Sequence, residues 1–196
     1  MIQELIFATG NKNKAIEIES ALPKGFVVKT MKEAGITMDI PEPFNTLEEN
    51  SNHKALTIYN LTHQNCFAED TGLEVESLNN EPGVRSARYA GEAKDDVKNV
   101  EKLLHRLSAY KNKTARFRTV MTLVVNGNEF QFEGICNGKI IDNPIGTHGF
   151  GYDPVFIPDG SNHTFAQMEL TEKNKFSHRK KALTKMLEYL TNSKAS

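Results

Sequence analysis

The sequence predicts an α/β protein whose sheet mixes parallel and antiparallel strands, on three observations. Short apolar runs alternate with stretches of helical periodicity along the chain. The segment ARFRTVMTLVVNGNEFQFEGIC (115–136) breaks at Asn126-Gly127, a β-hairpin turn signature, so the sheet is not purely parallel. No repeat, linker or low-complexity tract interrupts the pattern, and all 196 residues are expected to form one domain, 1–196.

The elements follow in order. ELIFAT (4–9) reads as a first strand, and NKNKAIEIESAL (11–22) as a helix with Ala15, Ile18 and Leu22 at helical spacing. FVVKTM (26–31) returns as a strand. ITMDIPEPFN (36–45) carries two prolines and is expected to be a loop. A helix from about Thr46 to His63 has Thr46 as cap and Leu47, Ala55, Ile58 and Leu61 toward the core. CFAED and LEVESL read as short strands flanking a Thr71-Gly72 turn, and NNEPGVRSARYAG (79–91) as a long irregular loop. Val97, Val100, Leu103, Leu104 and Leu107 form the apolar stripe of the next helix. After the hairpin, GTHGFGYDPVFIP (146–158) is a Gly-rich loop running into a buried strand. The last helix spans about Ser177 to Leu190.

Composition narrows the function classes. Hydrophobic residues make up 38% and charged residues 25%, which excludes a disordered or membrane-embedded chain. No apolar run approaches a membrane span, and MIQELIFATG lacks the basic start and apolar stretch of a signal peptide, so a cytoplasmic location is expected. Cys66 and Cys136 lie in apolar strand-like runs, which suits buried reduced thiols. A net charge of −1 rules out a strongly basic nucleic-acid binder on global charge, though not a local basic site.

Four stretches carry chemistry. TGNKNK (9–14) joins a strand end to a helix start, where backbone N–H groups and the dipole favour an anion. Lys12 and Lys14 sit where that dipole disfavours cations, a conflict that a bound phosphate would relieve; a solvated turn is the alternative. Glu48, Glu49, Glu69 and Asp70 flank a strand, and Mg²⁺ takes one or two such carboxylates, with water and phosphate completing its shell. First-turn acids are also ordinary dipole partners. Lys54 can face the same acids or pair on the surface. In FGYDP (150–154), Phe150 or Tyr152 can stack on a base and Asp153 can accept from ring N–H groups, or the stretch is a structural turn. KNKFSHRKK (173–181) offers a donor fork at Arg179, a basic nucleic-acid patch, or, more often for such a run, a solvated helix face. The GxxxxGK[ST] phosphate loop, the GxSxG elbow and paired histidine ligand spacing are all absent.

Taken in order, TGNKNK, EEN before a helix, AEDTGLEV, PGVRSARYAG, GFGYDPVF and a late SHR resemble the inosine triphosphate pyrophosphatase family, over about residues 5–190. The resemblance implies hydrolysis of ITP, dITP and XTP to nucleoside monophosphate and pyrophosphate with Mg²⁺. It implies a homodimer and an elongated mixed α/β sheet flanked by helices, with two lobes and a central substrate cleft. Neither nucleic acid nor membrane is an implied partner.

Carried over by position, Thr9, Gly10, Asn11, Lys12, Asn13 and Lys14 hold the triphosphate. Glu49 and Asp70 serve the metal and water, with Asp70 as proton acceptor, and Thr71 lies against the substrate. Phe150, Gly151, Tyr152 and Asp153 pack on the base with Lys173, while His178 and Arg179 read the purine edge. EDTG replaces the usual bacterial DDSG, which keeps both functional groups and makes Glu69 an accessory acid. Arg85 stands where many relatives carry an aromatic residue. The alternative is a Maf-like pyrophosphatase of modified pyrimidine nucleotides.

Overall fold

The structure, a computed structural model, describes residues 3–192. Its strands and helices are β1 (Gln3–Phe7), α1 (Lys12–Ala21), β2 (Phe26–Thr30), α2 (Leu47–Thr62), β3 (Cys66–Val75), β4 (Glu81–Gly83), α3 (Asp96–Leu107), β5 (Thr114–Val125), β6 (Asn128–Ile140), β7 (Phe156–Pro158), α4 (Leu170–Lys173) and α5 (His178–Asn192). The seven strands form one sheet in the order β2-β1-β3-β5-β6-β7, with β4 paired to β3. β1 lies parallel to β2 and to β3, whereas β3–β4 and β6–β7 are antiparallel, so the mixed sheet expected from sequence is present. The hairpin turn falls at Asn126-Gly127, both with positive φ, as a tight two-residue connection requires.

The chain divides into two compact units, and β3, β5 and β6 contribute residues to both. The first comprises the chain up to Asp70, Thr119–Gly134 and the chain from Arg179 onward. One of its apolar cores joins Leu5, Phe7, Phe67, Met121 and Leu123 to the α5 stripe Leu183, Met186, Leu187 and Leu190. A second joins Ile6, Ala8, Cys66 and Ala68 to Ala55 and Ile58 of α2. Alternation along the strands explains this partition: successive side chains of β1 and β3 feed cores on opposite faces. The other unit, Thr71–Arg118 with Ile135–His178, packs Leu73, Val75, Val100, Leu103, Leu107, Phe117, Phe156 and Phe165 together.

Three sequence expectations need correction. The Thr71-Gly72 pair is not a turn, because β3 runs unbroken from Cys66 to Val75. Gly72 is there for a close approach: a Cβ would come within 2.5 Å of the Gly83 carbonyl oxygen of β4. The 79–91 stretch is not wholly irregular, since it holds β4 and a 3-10 turn at Ser86–Arg88. Leu61 and Val97 are 56% and 68% exposed and belong to no core. Leu61 lies in the last turn of α2 and Val97 in the first turn of α3, where a helical stripe outruns the surface it packs on. Among the described residues no helix is long and apolar enough to cross a membrane.

Candidate active site

Strand register builds the first cluster. Phe7 of β1 pairs with Phe67 of β3, and their rings stack at 4.5 Å. Two residues further along each parallel strand come Thr9 and Glu69, so the TGNKNK segment leaves the sheet beside the EDT segment. The carboxyl ends of parallel strands are the usual place for ligands in such sheets. Asn11 caps α1, its Oδ1 accepting from the backbone N of Asn13 at 2.9 Å and of Lys14 at 3.2 Å. Those two amides are therefore engaged, and the charge that TGNKNK presents comes from Lys12, which is exposed, and Lys14, which is half-buried. Gly10, Asn11 and Asn13 are exposed, and the Thr9 hydroxyl oxygen accepts from Asn11 N at 3.1 Å.

Neighbouring side chains of a strand face opposite ways, and Glu69 and Asp70 do so here. Glu69 is buried. Its Oε1 lies 3.1 Å from Lys14 Nζ, and both its oxygens accept from Arg179 Nε, at 2.9 and 2.7 Å. Arg179 Nη1 also pairs with Glu17 of α1. Burial opposes the charge on Glu69, but Arg179 and Lys14 outweigh it and hold the pKa down to about 2. Burial likewise opposes the Arg179 charge, and Glu69 and Glu17 together raise its pKa. Arg179, expected at the purine edge, is 2% exposed and pairs with Glu69 and Glu17, two carboxylates of the first unit.

Asp70 faces α2 instead. Its Oδ1 lies 3.6 Å from Lys54 Nζ, and its Oδ2 accepts from Asn50 Nδ2 at 3.3 Å. Lys54 Nζ also holds Glu42 Oε1 at 2.5 Å. Burial works against the Lys54 ammonium, yet Asp70 and Glu42 raise its pKa above the ordinary lysine value. Asn50 Oδ1 accepts from Phe44 N at 3.0 Å and Nδ2 also donates to the Phe44 carbonyl at 3.1 Å, which ties the proline-flanked loop to the same spot. Glu49, the acid expected beside Asp70, is exposed at the helix start. Its carboxylate accepts from the Thr46 hydroxyl at 2.7 Å while Thr46 caps the Glu49 amide at 3.2 Å. Glu42 is the carboxylate that shares a cation with Asp70, and the sequence reading missed it because a loop residue between prolines has no periodicity to mark it. The signal that was available lies in α2, whose buried stripe includes Asn50, Ser51 and Lys54 rather than apolar residues alone.

Glu42 and Asp70 share the Lys54 ammonium, and Mg²⁺ takes one or two protein carboxylates and fills the rest of its shell with water and phosphate. Among the described residues no group of three or more His, Cys, Asp or Glu forms an all-protein cage. Such a cage is what Mg²⁺ does not need.

The second cluster lies in the other unit. Lys173 Nζ pairs with Asp153 Oδ2 at 2.5 Å, and both side chains are buried. The same oxygen accepts from Phe150 N at 3.0 Å. Lys173 stands 5.4 Å from the Phe150 ring centroid and 5.1 Å from that of Phe165. His178 stacks on Phe117 at 4.7 Å and is 3% exposed. Tyr152 is buried, and its hydroxyl donates to the Ser86 carbonyl at 2.9 Å. Gly151 N donates to Asp96 Oδ2 at 2.8 Å. The structure therefore brings Phe150, Gly151, Tyr152, Asp153, Lys173 and His178 into one unit, as a buried ion pair among aromatic rings. Thr71 follows Asp70 on β3 and is half-buried.

The comparisons with known proteins bear on this arrangement. The chain matches the Ham1 family over residues 5–189. It is 48% identical over 188 residues to a dITP/XTP pyrophosphatase of Christiangramia forsetii, covering 96% of this chain and 99% of that one. It is 41% identical to a Bacillus subtilis protein of the same name, covering 97% and 98%. Among solved structures it resembles the Staphylococcus aureus Ham1 protein, with a TM-score of 0.87, 34% identity and coverage of 97% and 100%. A HAM1 protein from Coxiella burnetii gives a TM-score of 0.88 at 32% identity, covering 97% and 100%. Matched along nearly its whole length by sequence and by fold, the chain belongs to the Ham1 family.

Proposed function

We propose that this protein hydrolyses dITP, ITP and XTP to the nucleoside monophosphate and pyrophosphate, and so removes deaminated purines from the nucleotide pool. The observation that carries the reading is the setting of Asp70, a carboxylate held between Lys54 and Asn50 at the carboxyl end of a parallel strand pair. Relatives named dITP/XTP pyrophosphatases at 41–48% identity support the substrate class.

Lys12 and Lys14 hold the triphosphate, with Thr9, Gly10, Asn11 and Asn13 shaping the turn that presents them. Asp70 accepts the proton of the attacking water, which adds at the α-phosphorus as pyrophosphate leaves. Mg²⁺, held by Asp70 and Glu42, would supply charge screening on the phosphates when bound. Lys54 orients both carboxylates, and Asn50 fixes Asp70 Oδ2. Glu69 keeps Lys14 in place rather than touching substrate. Thr71 lies against the nucleotide.

Base selection belongs to Phe150, Asp153, Lys173 and His178. Hypoxanthine and xanthine offer a 6-keto acceptor to the Lys173 or His178 donors, and Asp153 accepts from ring N–H groups. Adenine places an amino donor at that position, and an unsatisfied buried donor costs about 1–3 kcal/mol. The protein is further read as a cytoplasmic homodimer, which light scattering at micromolar concentration tests.

The decisive experiment is pyrophosphate release from ITP, XTP, dITP, ATP, GTP and modified pyrimidine triphosphates, with and without Mg²⁺, for the native protein and Asp70→Asn. Metal-dependent release from the first three, lost in the variant, is expected. Equal turnover of ATP would remove the base-selection argument, and turnover of pyrimidines alone would favour the Maf-like alternative.

A further inference from the structure

PGVRSARYAG (82–91) and the first turn of α3 take no part in the chemistry proposed above, yet their polar groups hold the turn that carries Phe150 and Asp153. Gly151 N donates to Asp96 Oδ2 at 2.8 Å, and Tyr152 Oη donates to the Ser86 carbonyl at 2.9 Å. These two bonds grip consecutive residues of the turn from the same stretch of chain. That stretch is itself braced. Asn99, 1% exposed, donates through Nδ2 to the Ala87 carbonyl at 3.0 Å and accepts from Ala90 N at 2.7 Å. The Ser86 hydroxyl donates to the Gly83 carbonyl at 2.6 Å and accepts from Leu73 N of β3 at 2.8 Å.

Asp96 is not needed as a helix cap. Asp95 performs that role, accepting from Lys98 N at 3.1 Å. Gly151 has φ of 61° and nothing within 4 Å of where a Cβ would lie, so its glycine answers to backbone conformation rather than space. A residue in that conformation with open space around it lacks packing to hold it, and the bond to Asp96 supplies a hold.

We propose that Asp96 is a positioning residue for base recognition. By accepting the Gly151 N–H it keeps the Phe150–Asp153 turn in the geometry that Asp153 and Lys173 share, while the Ser86 carbonyl holds the same turn through Tyr152. This rests on the base-binding reading of that turn given above. The carboxylate does not touch the base, so its effect reaches only ligands that carry one.

The test compares KM and kcat for ITP with the inhibition constant of tripolyphosphate, which carries phosphates and no base. Asp96→Ala is expected to raise KM by about tenfold, the loss of one charge-assisted bond, with kcat within about twofold and tripolyphosphate inhibition unchanged. Asp96→Asn retains an acceptor oxygen and is expected to restore KM. Asp95→Ala, which removes the helix cap, is expected to lower the melting temperature and leave KM alone. An unchanged KM in Asp96→Ala, an equal loss of tripolyphosphate inhibition, or an equal rise of KM in Asp95→Ala would overturn the proposal. If the native protein turns over no purine triphosphate, the base reading itself fails and the inference falls with it. That outcome is distinct because it appears before any variant is made.

Discussion

Arg179 Nε donates to both carboxylate oxygens of Glu69, at 2.9 and 2.7 Å, with Arg179 2% exposed and Glu69 1% exposed. Glu17 takes the same guanidinium through Nη1, and Lys14 takes Glu69, so two cations and two anions neutralise one another inside the first unit. Removing one member of such a buried set leaves an uncompensated charge. Arg179→Met is expected to destabilise the protein by about 3–5 kcal/mol, which urea unfolding measures. A loss below about 1 kcal/mol would show that the guanidinium is not buried among these carboxylates.

The same set makes stability depend on pH. Glu69 has an ordinary pKa of 4.5, held down to about 2 in the folded chain. A depressed carboxylate stabilises the fold above its unfolded pKa, and the contribution disappears as pH falls through the folded value. Stability of the native protein is therefore expected to decline between about pH 4.5 and pH 2. In Glu69→Gln that decline should be shallower, since the titrating group is gone. Thermal melts of both proteins across that window decide the matter, and parallel curves would remove Glu69 as the cause.

Glu42 and Glu49 have opposite expectations. Glu42→Gln breaks the arrangement that shares Lys54 with Asp70, and kcat should fall more than about tenfold, with a higher Mg²⁺ requirement. Glu49→Gln touches only the reciprocal cap with Thr46, and stability should fall by less than about 1 kcal/mol with kcat little changed. Metal titrations of turnover separate the two. A Glu49→Gln enzyme that loses its metal response would place Glu49, the acid expected from sequence, at the metal.

Gly72→Ala tests the unbroken strand. Its Cβ would meet the Gly83 oxygen at 2.5 Å and the Gly83 carbon at 2.7 Å, both backbone atoms with no rotamer to relax. A loss of about 1–3 kcal/mol is expected, as for overpacking elsewhere. Were Thr71-Gly72 a turn open to solvent, alanine there would be nearly neutral, and a melt distinguishes the outcomes.

Much of the architecture was legible because local rules suffice for it. Asn126-Gly127 specifies a hairpin through two positive φ angles, and it forms one. Thr46 and Asn11 cap the helices that follow them, because a side-chain oxygen there meets amides that the helix leaves open. The α5 stripe of Leu183, Met186, Leu187 and Leu190 is buried as its spacing requires. The ordered motifs likewise marked the family, and Asp70, Lys14, Asp153, Lys173 and His178 all lie in the two polar clusters.

What the chain order does not contain is which charge meets which. Glu69 and Asp70 are neighbours in sequence, and strand alternation alone says that they diverge. That Glu69 meets Arg179, 110 residues away, and that Asp70 meets Lys54 follows from packing of helices on each side of β3. Glu42 lies in a loop without periodicity, and Asp96 is an exposed acid beside the half-buried Asp95, so neither carries a local mark. Gly72 misled for the same reason: its neighbours suggest a turn, but its reason for being glycine is the backbone of β4 across the sheet. Caps, turns and apolar spacing are set by residues within a few positions and can be read along the chain. Ion pairing is set by distance in space, which exists once the sheet has formed.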